Sequence, residues 1–174
     1  DCRKPLIVMT PKSLLRHKLA VSTLDELANG GFQLMIPDST AKGGQKVSRV
    51  VLCSGKVYYD LVEEAGKRGI NDVAIVRVEQ LYPFPRAEVA AELRKYAALK
   101  DVIWCQEEPM NQGAWYQIRH HLQTVAPAGT TLTYAGRSRS PAPACGHLST
   151  HIAEQAALVE AALVGPAGNE NVSE

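Results

Sequence analysis

The sequence predicts an α/β fold: a five-stranded, mostly parallel (mixed) sheet sandwiched between helices. Three observations predict it. Five short apolar runs recur along the chain, at residues 5–10 (PLIVMT), 49–54 (RVVLCS), 72–78 (DVAIVRV), 101–106 (DVIWCQ) and 131–136 (TLTYAG). The first four are almost unbroken in hydrophobicity, which is how a strand covered on both faces reads. Between the runs lie segments with apolar residues at helical spacing, and strands alternating with helices imply crossover connections. A length of 174 residues with 45% apolar residues suits one sizeable core, so one domain is expected over residues 1–165.

Taken in order, the run at 5–10 predicts the first strand. PKSLLRHKL then predicts a helix, with Pro11 suited to a first turn whose N–H has no helical partner anyway. The stretch 36–46, IPDSTAKGGQK, is rich in Gly, Ser and Lys and predicts a surface loop. After the second run, Gly55 predicts a tight strand-to-helix turn, and KVYYDLVEEAGKRG predicts a helix stopped at Gly69. PRAEVAAELRKYAAL predicts a helix opened by Pro85, and a further helix is expected from Gly113 onward. The last helix, STHIAEQAALVEAALVG, is expected to start at a Ser/Thr cap and to end at Gly165 before Pro166. Residues 166–174 read as a disordered polar tail.

Charge excludes several function classes. The formal net charge is +1, with basic and acidic residues interspersed, so no long-range field favours nucleic acid or an acidic membrane surface. No apolar span of about 18 residues and no signal-peptide pattern occurs, which predicts a cytoplasmic-type protein. SGK lacks P-loop spacing, and nothing matches the dinucleotide fingerprint after a strand. Cys2, Cys53, Cys105 and Cys145 are far apart, so neither a zinc knuckle nor a redox dithiol is spelled out. His120 and His121 are adjacent on a predicted helix and point about 100° apart, which disfavours a shared metal. Cys145, His147 and His151 lack a fourth ligand nearby. No metal site is expected.

In an open parallel sheet, ligands bind at the carboxyl edge of the strands. The loops there bring a polar rim together, and Lys12, Arg16, Ser54 and Lys56 are expected to form an anion or effector site if strands 5–10 and 49–54 are adjacent. The stretch WCQEEPMNQGAWYQIRHHL (104–122) offers Glu107, Glu108, Asn111 and Trp115 as residues of an interface or active-site rim. Glu107 and Glu108 are sequence neighbours and cannot face each other across a substrate as an acid/base pair. The structural reading of the same residues makes Trp104 and Trp115 core anchors, gives one glutamate a basic partner, and has Asn111 cap the following helix.

The strings RKPLIVMTPKSLLRHKLAVS, RVVLCSGKVYYDL, DVAIVRVEQLYPFP, WCQEEPMNQGAW, YAGR and HIAEQAALVEAAL, in this order, resemble the C-terminal domain of 2-oxoglutarate dehydrogenase, the thiamine-diphosphate-dependent decarboxylating component of a multienzyme complex. LYPFP and NQGAW follow the 2-oxoglutarate version of the family rather than the 2-oxoadipate one. The resemblance implies a transketolase C-terminal-domain-like fold with one antiparallel strand. It further implies a parent enzyme of the citric acid cycle that oxidatively decarboxylates 2-oxoglutarate and passes the acyl group to a lipoyl group. Its implied partners are the upstream domains of the same polypeptide, a homodimer partner and the lipoyl-bearing succinyltransferase component. The compartment is the bacterial cytoplasm or the mitochondrial matrix.

The family's magnesium-diphosphate segment and its substrate histidines lie upstream of the matching region. No catalytic residue and no bound cofactor are therefore expected here, and thiamine diphosphate with magnesium belongs to the parent. The chain opens at Asp1 rather than Met and reads as a piece of something longer. One departure stands out: GRSRSPAPACG gains Arg139 and carries Ala142 where the family usually has a serine. The alternative functions are a free-standing module binding an anion or acyl-nucleotide, the corresponding domain of a 2-oxoadipate dehydrogenase, or a scaffold without a ligand.

Overall fold

The computed structural model describes residues 2–39 and 46–165. They fall into two units, Asp1–Phe32 and Gln33–Glu174. In the first, residues 5–10 carry no strand, and the helix expected from Pro11 is a single 3-10 turn, Lys12–Leu14. An apolar run states that burial is wanted, but a strand exists only through ladder bonds to a neighbour, and the run has none among the described residues. Helix α1 (Leu24–Asn29) is instead set by a capping box: Thr23 Oγ1 accepts from the Glu26 N–H at 3.2 Å, and the Thr23 N–H donates to Glu26 Oε2 at 2.7 Å. The T-x-x-E spacing was a readable signal for this helix.

The second unit contains a five-stranded sheet in the order β1-β3-β2-β4-β5. Its strands are β1 (Met35–Ile36), β2 (Arg49–Cys53), β3 (Val73–Val78), β4 (Asp101–Pro109) and β5 (Thr131–Arg137). Strands β2 to β5 pair in parallel, while β1 runs antiparallel on β3, with Met35 opposite Val78. The fifth strand thus comes from residues 35–36 and not from 5–10. Residues 40–45 of the predicted loop, and the predicted tail at 166–174, lie outside the described residues.

Alternation along each strand explains the unbroken hydrophobicity. Val50, Leu52, Val76, Val102, Trp104 and Tyr134 face one layer; Val51, Cys53, Ile75, Ile103, Cys105 and Ala135 face the other. The first layer is closed by α3 (Arg86–Leu93) and α4 (Trp115–Val125), the second by α2 (Val57–Arg68) and α5 (Leu148–Leu163). Helix α2 ends at Gly69, whose φ of 66° a side chain disfavours and whose N–H closes onto Ala65 and Gly66 carbonyls. Helix α3 stops at Leu93, short of the predicted 99. Helix α5 is entered from His147 with no side-chain cap; Ser149 and Thr150, expected as the cap, sit inside its first turn.

From β2 the chain crosses to β3 by way of α2 on one layer, and from β4 it crosses to β5 by way of α4 on the other. The carboxyl ends of the neighbouring strands β2 and β4 therefore diverge, the place where such sheets open a crevice.

Leu61, fully buried between α2 and the sheet, tests the core: Leu61→Ala is expected to lower unfolding free energy by about 2–5 kcal/mol in urea titration.

Candidate functional site

A cleft of about 710 Å³ occupies the divergence between β2 and β4. Ser54 and Gly55 of the β2 turn form one wall, Leu81 and Tyr82 beyond β3 a second, and Gln117, His120 and His121 of α4 a third; Trp104, Gln106 and Ile118 form its floor. Gly55 adopts φ 76° and Gly113 φ 66°, so the backbone makes both turns at glycine.

The floor is organised by Gln106. Its buried amide oxygen accepts from Trp104 Nε1 at 2.9 Å and from the Trp115 backbone N–H at 3.1 Å. Its Nε2 donates to the Gln112 carbonyl at 2.7 Å and shares its remaining hydrogen between the Glu108 and Pro109 carbonyls at 3.1 and 3.2 Å. One side chain thereby satisfies the first N–H of α4, an indole and the turn between them. Tyr134 Oη is shared between the Glu108 and Arg137 carbonyls at 3.1 and 3.2 Å, and burial pushes its hydroxyl pKa up. A Cβ at Gly136 would lie 2.2 Å from that hydroxyl and 2.9 Å from the Gln106 carbonyl, so only glycine fits the approach.

Charges beside the cleft are paired. Lys56 Nζ donates to Asp60 Oδ2 at 2.6 Å and to Glu107 Oε1 at 3.2 Å, and Gln155 Nε2 donates to the same two oxygens at 2.8 and 3.1 Å. Burial alone would lower the Lys56 pKa, but its two carboxylate partners outweigh burial and raise it. Along β4, successive residues point to opposite faces: Glu107 turns to this network, while Glu108 is exposed and lines the cleft. The two glutamates thus do not form a facing pair.

The histidines of α4 come closer than the helix spacing predicts. Side-chain torsions bring the His120 and His121 rings to 3.8 Å between centroids, tilted by 52°. His121 also stacks on Phe84 at 5.2 Å, and its Nδ1 accepts from Arg86 Nη2 at 2.6 Å. A guanidinium only donates, so the His121 proton sits on Nε2. Burial, then the Arg86 and His120 charges, hold its pKa below 6.5.

The sequence-predicted residues are distributed over both units. Lys12 and Arg16 belong to the first unit, Ser54 and Lys56 to the second. The strand at 5–10 that was to place Lys12 at the sheet edge is missing, and Arg16 lies beyond the short 3-10 turn rather than on a shared helix. Trp115 is buried in the core layer. Asn111 does not cap α4, whose N-cap is Ala114; it clamps the following loop, accepting from the Ser140 N–H and donating to the Ser140 carbonyl, both at 2.9 Å. The extra Arg139 donates to Tyr116 Oη at 2.9 Å, and the Ala142 N–H donates to Ser140 Oγ at 3.2 Å. His151 Nδ1 meets Arg137 Nη2 at 2.7 Å.

Sequence reasoning missed Gln106 as a hub, and missed Tyr82, Gln117 and the His121–Arg86 pair. A glutamine directly after the apolar stretch VIWC was the signal available for the first. Among the described residues no group of three or more His, Cys, Asp or Glu side chains is placed to hold a metal ion. The cleft presents a single carboxylate and is lined by no Lys or Arg. These residues do not fit a magnesium-diphosphate group.

Gln106→Leu would leave the Trp104 indole and Trp115 N–H without acceptors and is expected to cost about 3 kcal/mol or more, read by denaturant unfolding with tryptophan fluorescence. His121 should titrate below 6.5 by NMR, and Arg86→Ala should raise its midpoint. Because the folded value is depressed, the stability the neutral ring contributes is present above 6.5 and is lost as pH falls through 6.5 toward the folded value.

Comparison with known proteins agrees with this architecture. Residues 21–163 match the model of the 2-oxoglutarate dehydrogenase C-terminal family. The chain is similar to the 2-oxoglutarate dehydrogenase E1 component of Azotobacter vinelandii, 55% identical over 161 residues that cover 91% of this chain and 17% of that protein. It is 53% identical to the E1 components of Cupriavidus necator and Haemophilus influenzae, in each case over 92% of this chain and 17% of the relative. The chain thus spans about 17% of the length of these curated relatives. It belongs to the 2-oxoglutarate dehydrogenase C-terminal family.

Proposed function

We propose that this chain serves as the assembly and regulatory region of a 2-oxoglutarate dehydrogenase decarboxylating component and catalyses nothing alone. The parent polypeptide oxidatively decarboxylates 2-oxoglutarate and transfers the product to a lipoyl group. Thiamine diphosphate and magnesium are held by its other domains. Its partners are those upstream domains, a second copy of the polypeptide and the lipoyl-bearing succinyltransferase; neither nucleic acid nor membrane is among them. It works in the bacterial cytoplasm, or in the mitochondrial matrix of a eukaryote.

The observation that carries this reading is how the cleft uses its polar groups. Gln106 is consumed by the wall of its own site, and His121 is tied to Arg86. Among the described residues no hydrogen bond joins Ser54 to Glu108, His120 or His121 of the lining, and a surface of this kind suits contact rather than chemistry. Glu108, exposed on the rim, and Tyr82, 90% exposed, are the groups best placed to meet the rest of the enzyme.

The second reading, an anion or acyl-nucleotide site at Lys12, Arg16, Ser54 and Lys56, has against it the two carboxylates that already neutralise Lys56. It predicts that the chain binds acetyl-coenzyme A or AMP more tightly than sulfate; equal, salt-sensitive binding of all three removes it. For the first reading, carbon dioxide release from 2-oxoglutarate is expected from the full-length polypeptide and not from the 174-residue chain. Micromolar binding of thiamine diphosphate with magnesium to this chain, measured by calorimetry, would overturn it.

A further inference from the structure

Helix α4 and the loop after β5 bring two arginines onto one tyrosine. Arg139 Nη2 donates to Tyr116 Oη at 2.9 Å, and Arg119 lies over the Tyr116 ring with its Cζ 5.1 Å from the centroid. Tyr116 is 37% exposed, and Arg139 is exposed as well. Arg49, Arg68, Arg77 and Arg137 each reach a carboxylate between 2.7 and 3.7 Å away, whereas neither Arg119 nor Arg139 has a carboxylate partner among the described residues.

The hydrogen-bonding groups here are almost all donors. A guanidinium carries five N–H donors and no acceptor. Arg139 uses one of them on Tyr116, and the Arg119 side chain makes no hydrogen bond among the described residues. Tyr116 Oη accepts from Arg139, and its own hydrogen has no acceptor there either. Two positive charges and a surplus of donors are matched by negative groups that carry several acceptor oxygens, and carboxylates meet a guanidinium edge in two parallel bonds.

The arrangement is also held in place. Ser140, the residue after Arg139, is tied at its N–H and its carbonyl by Asn111, and Gln112 Nε2 donates to the same carbonyl at 3.0 Å. Tyr116 and Arg119 stand three residues apart on one face of α4, a helix anchored by buried Trp115 and Ile118. Positions fixed beforehand lower the entropic cost of binding, and a guanidinium stacked on a ring keeps its edge free. Tyrosine and arginine are among the residues that most often dominate the energy of protein contacts. None of the three residues lines the cleft. On an open surface a lone small anion is screened and weakly held, while successive carboxylates on one segment engage both arginines together.

We propose that Tyr116, Arg119 and Arg139 form a docking patch for an acidic segment of a partner protein, one with two or more Asp or Glu residues close in sequence. One carboxylate takes the free edge of Arg139 together with the Tyr116 hydroxyl, and another takes Arg119. The patch is separate from the cleft and does not depend on the functional reading given for it.

Fluorescence polarisation with a fluorescein-labelled hexaglutamate peptide at low ionic strength, on the 174-residue chain and on the full-length polypeptide, tests it. Saturable binding to both is expected, weakened about fivefold by Arg139→Gln or Arg119→Gln and about twofold by Tyr116→Phe. Arg94→Gln removes another exposed arginine without a carboxylate partner, at the end of α3, and is expected to change nothing. In the unaltered 174-residue chain, the side-chain Nε–Hε NMR signals of Arg119 and Arg139 should shift as the peptide is added, a readout that needs no variant. Absence of saturable binding, unmoved arginine signals, or an equal loss with Arg94→Gln would each overturn the proposal. Inorganic phosphate that displaces the peptide as effectively as unlabelled hexaglutamate would overturn it in favour of a free anion. Binding by the 174-residue chain but not by the full-length polypeptide would overturn it too, because the polypeptide would then cover the patch itself.

Discussion

The buried amide of Gln106 is the constraint on which the cleft depends. Strand β4 must continue past its last parallel partner on β2, turn, and enter α4 within a few residues, with Gln106, Pro109, Met110 and Trp115 buried along the way. That path leaves an indole N–H, a helix N-terminal N–H and three carbonyls facing inward. A buried unpaired backbone group costs as much as a lost hydrogen bond, and only a primary amide offers an acceptor and two donors in one planar group. Leu at this position would satisfy neither half of the demand, and an ionised Glu only the acceptor half. Gly113 and Gly136 belong to the same constraint, since a Cβ at either meets the amide, the Gln106 carbonyl or the tyrosine that closes the site at close range.

A second layer of constraint is electrostatic. Lys56, Asp60, Glu107 and Gln155 tie the start of α2, the end of β4 and the middle of α5 into one network. One cation between two carboxylates, with an amide bridging both, fixes where α5 lies on the sheet. Partly exposed ion pairs contribute little each to stability, so the network's main effect is positional. A lysine shared by two carboxylates also attracts a phosphate less than an unpaired one would.

Arg137 does similar work at the far end of the sheet. It reaches His151 Nδ1 at 2.7 Å, and lies 3.3 Å from Glu154 at an angle too poor for a hydrogen bond. Both partners sit on the first turns of α5, which has no side-chain cap of its own. The anchoring that a Ser or Thr cap was expected to supply comes from β5 instead. The clamp of Asn111 and Gln112 on the Ser140 carbonyl holds the loop between these two elements in the same way, from outside the loop.

By itself the sequence determined the class of the fold and four of its strands, since the almost unbroken apolar runs at 49–54, 72–78 and 101–106 need cover on both faces wherever they go, and the shorter apolar run at 131–136 follows the same alternation with helices. It determined the family as well, because LYPFP, NQGAW and the strings around them are local text. It also determined the end of α2, where Gly69 takes a left-handed turn. What only the tertiary structure decided were the matters of pairing. The run at 5–10 has strand composition and no partner, while Met35 and Ile36, inconspicuous in sequence, complete the sheet because β3 offers them an edge. Asn111 has the chemistry of a cap and serves a loop 29 residues away, and Gln106 looks like rim and is floor. Hydrophobic periodicity is a property of one segment; a ladder, a cap or a buried amide is a relation between two, and the second member is named only once the chain has folded.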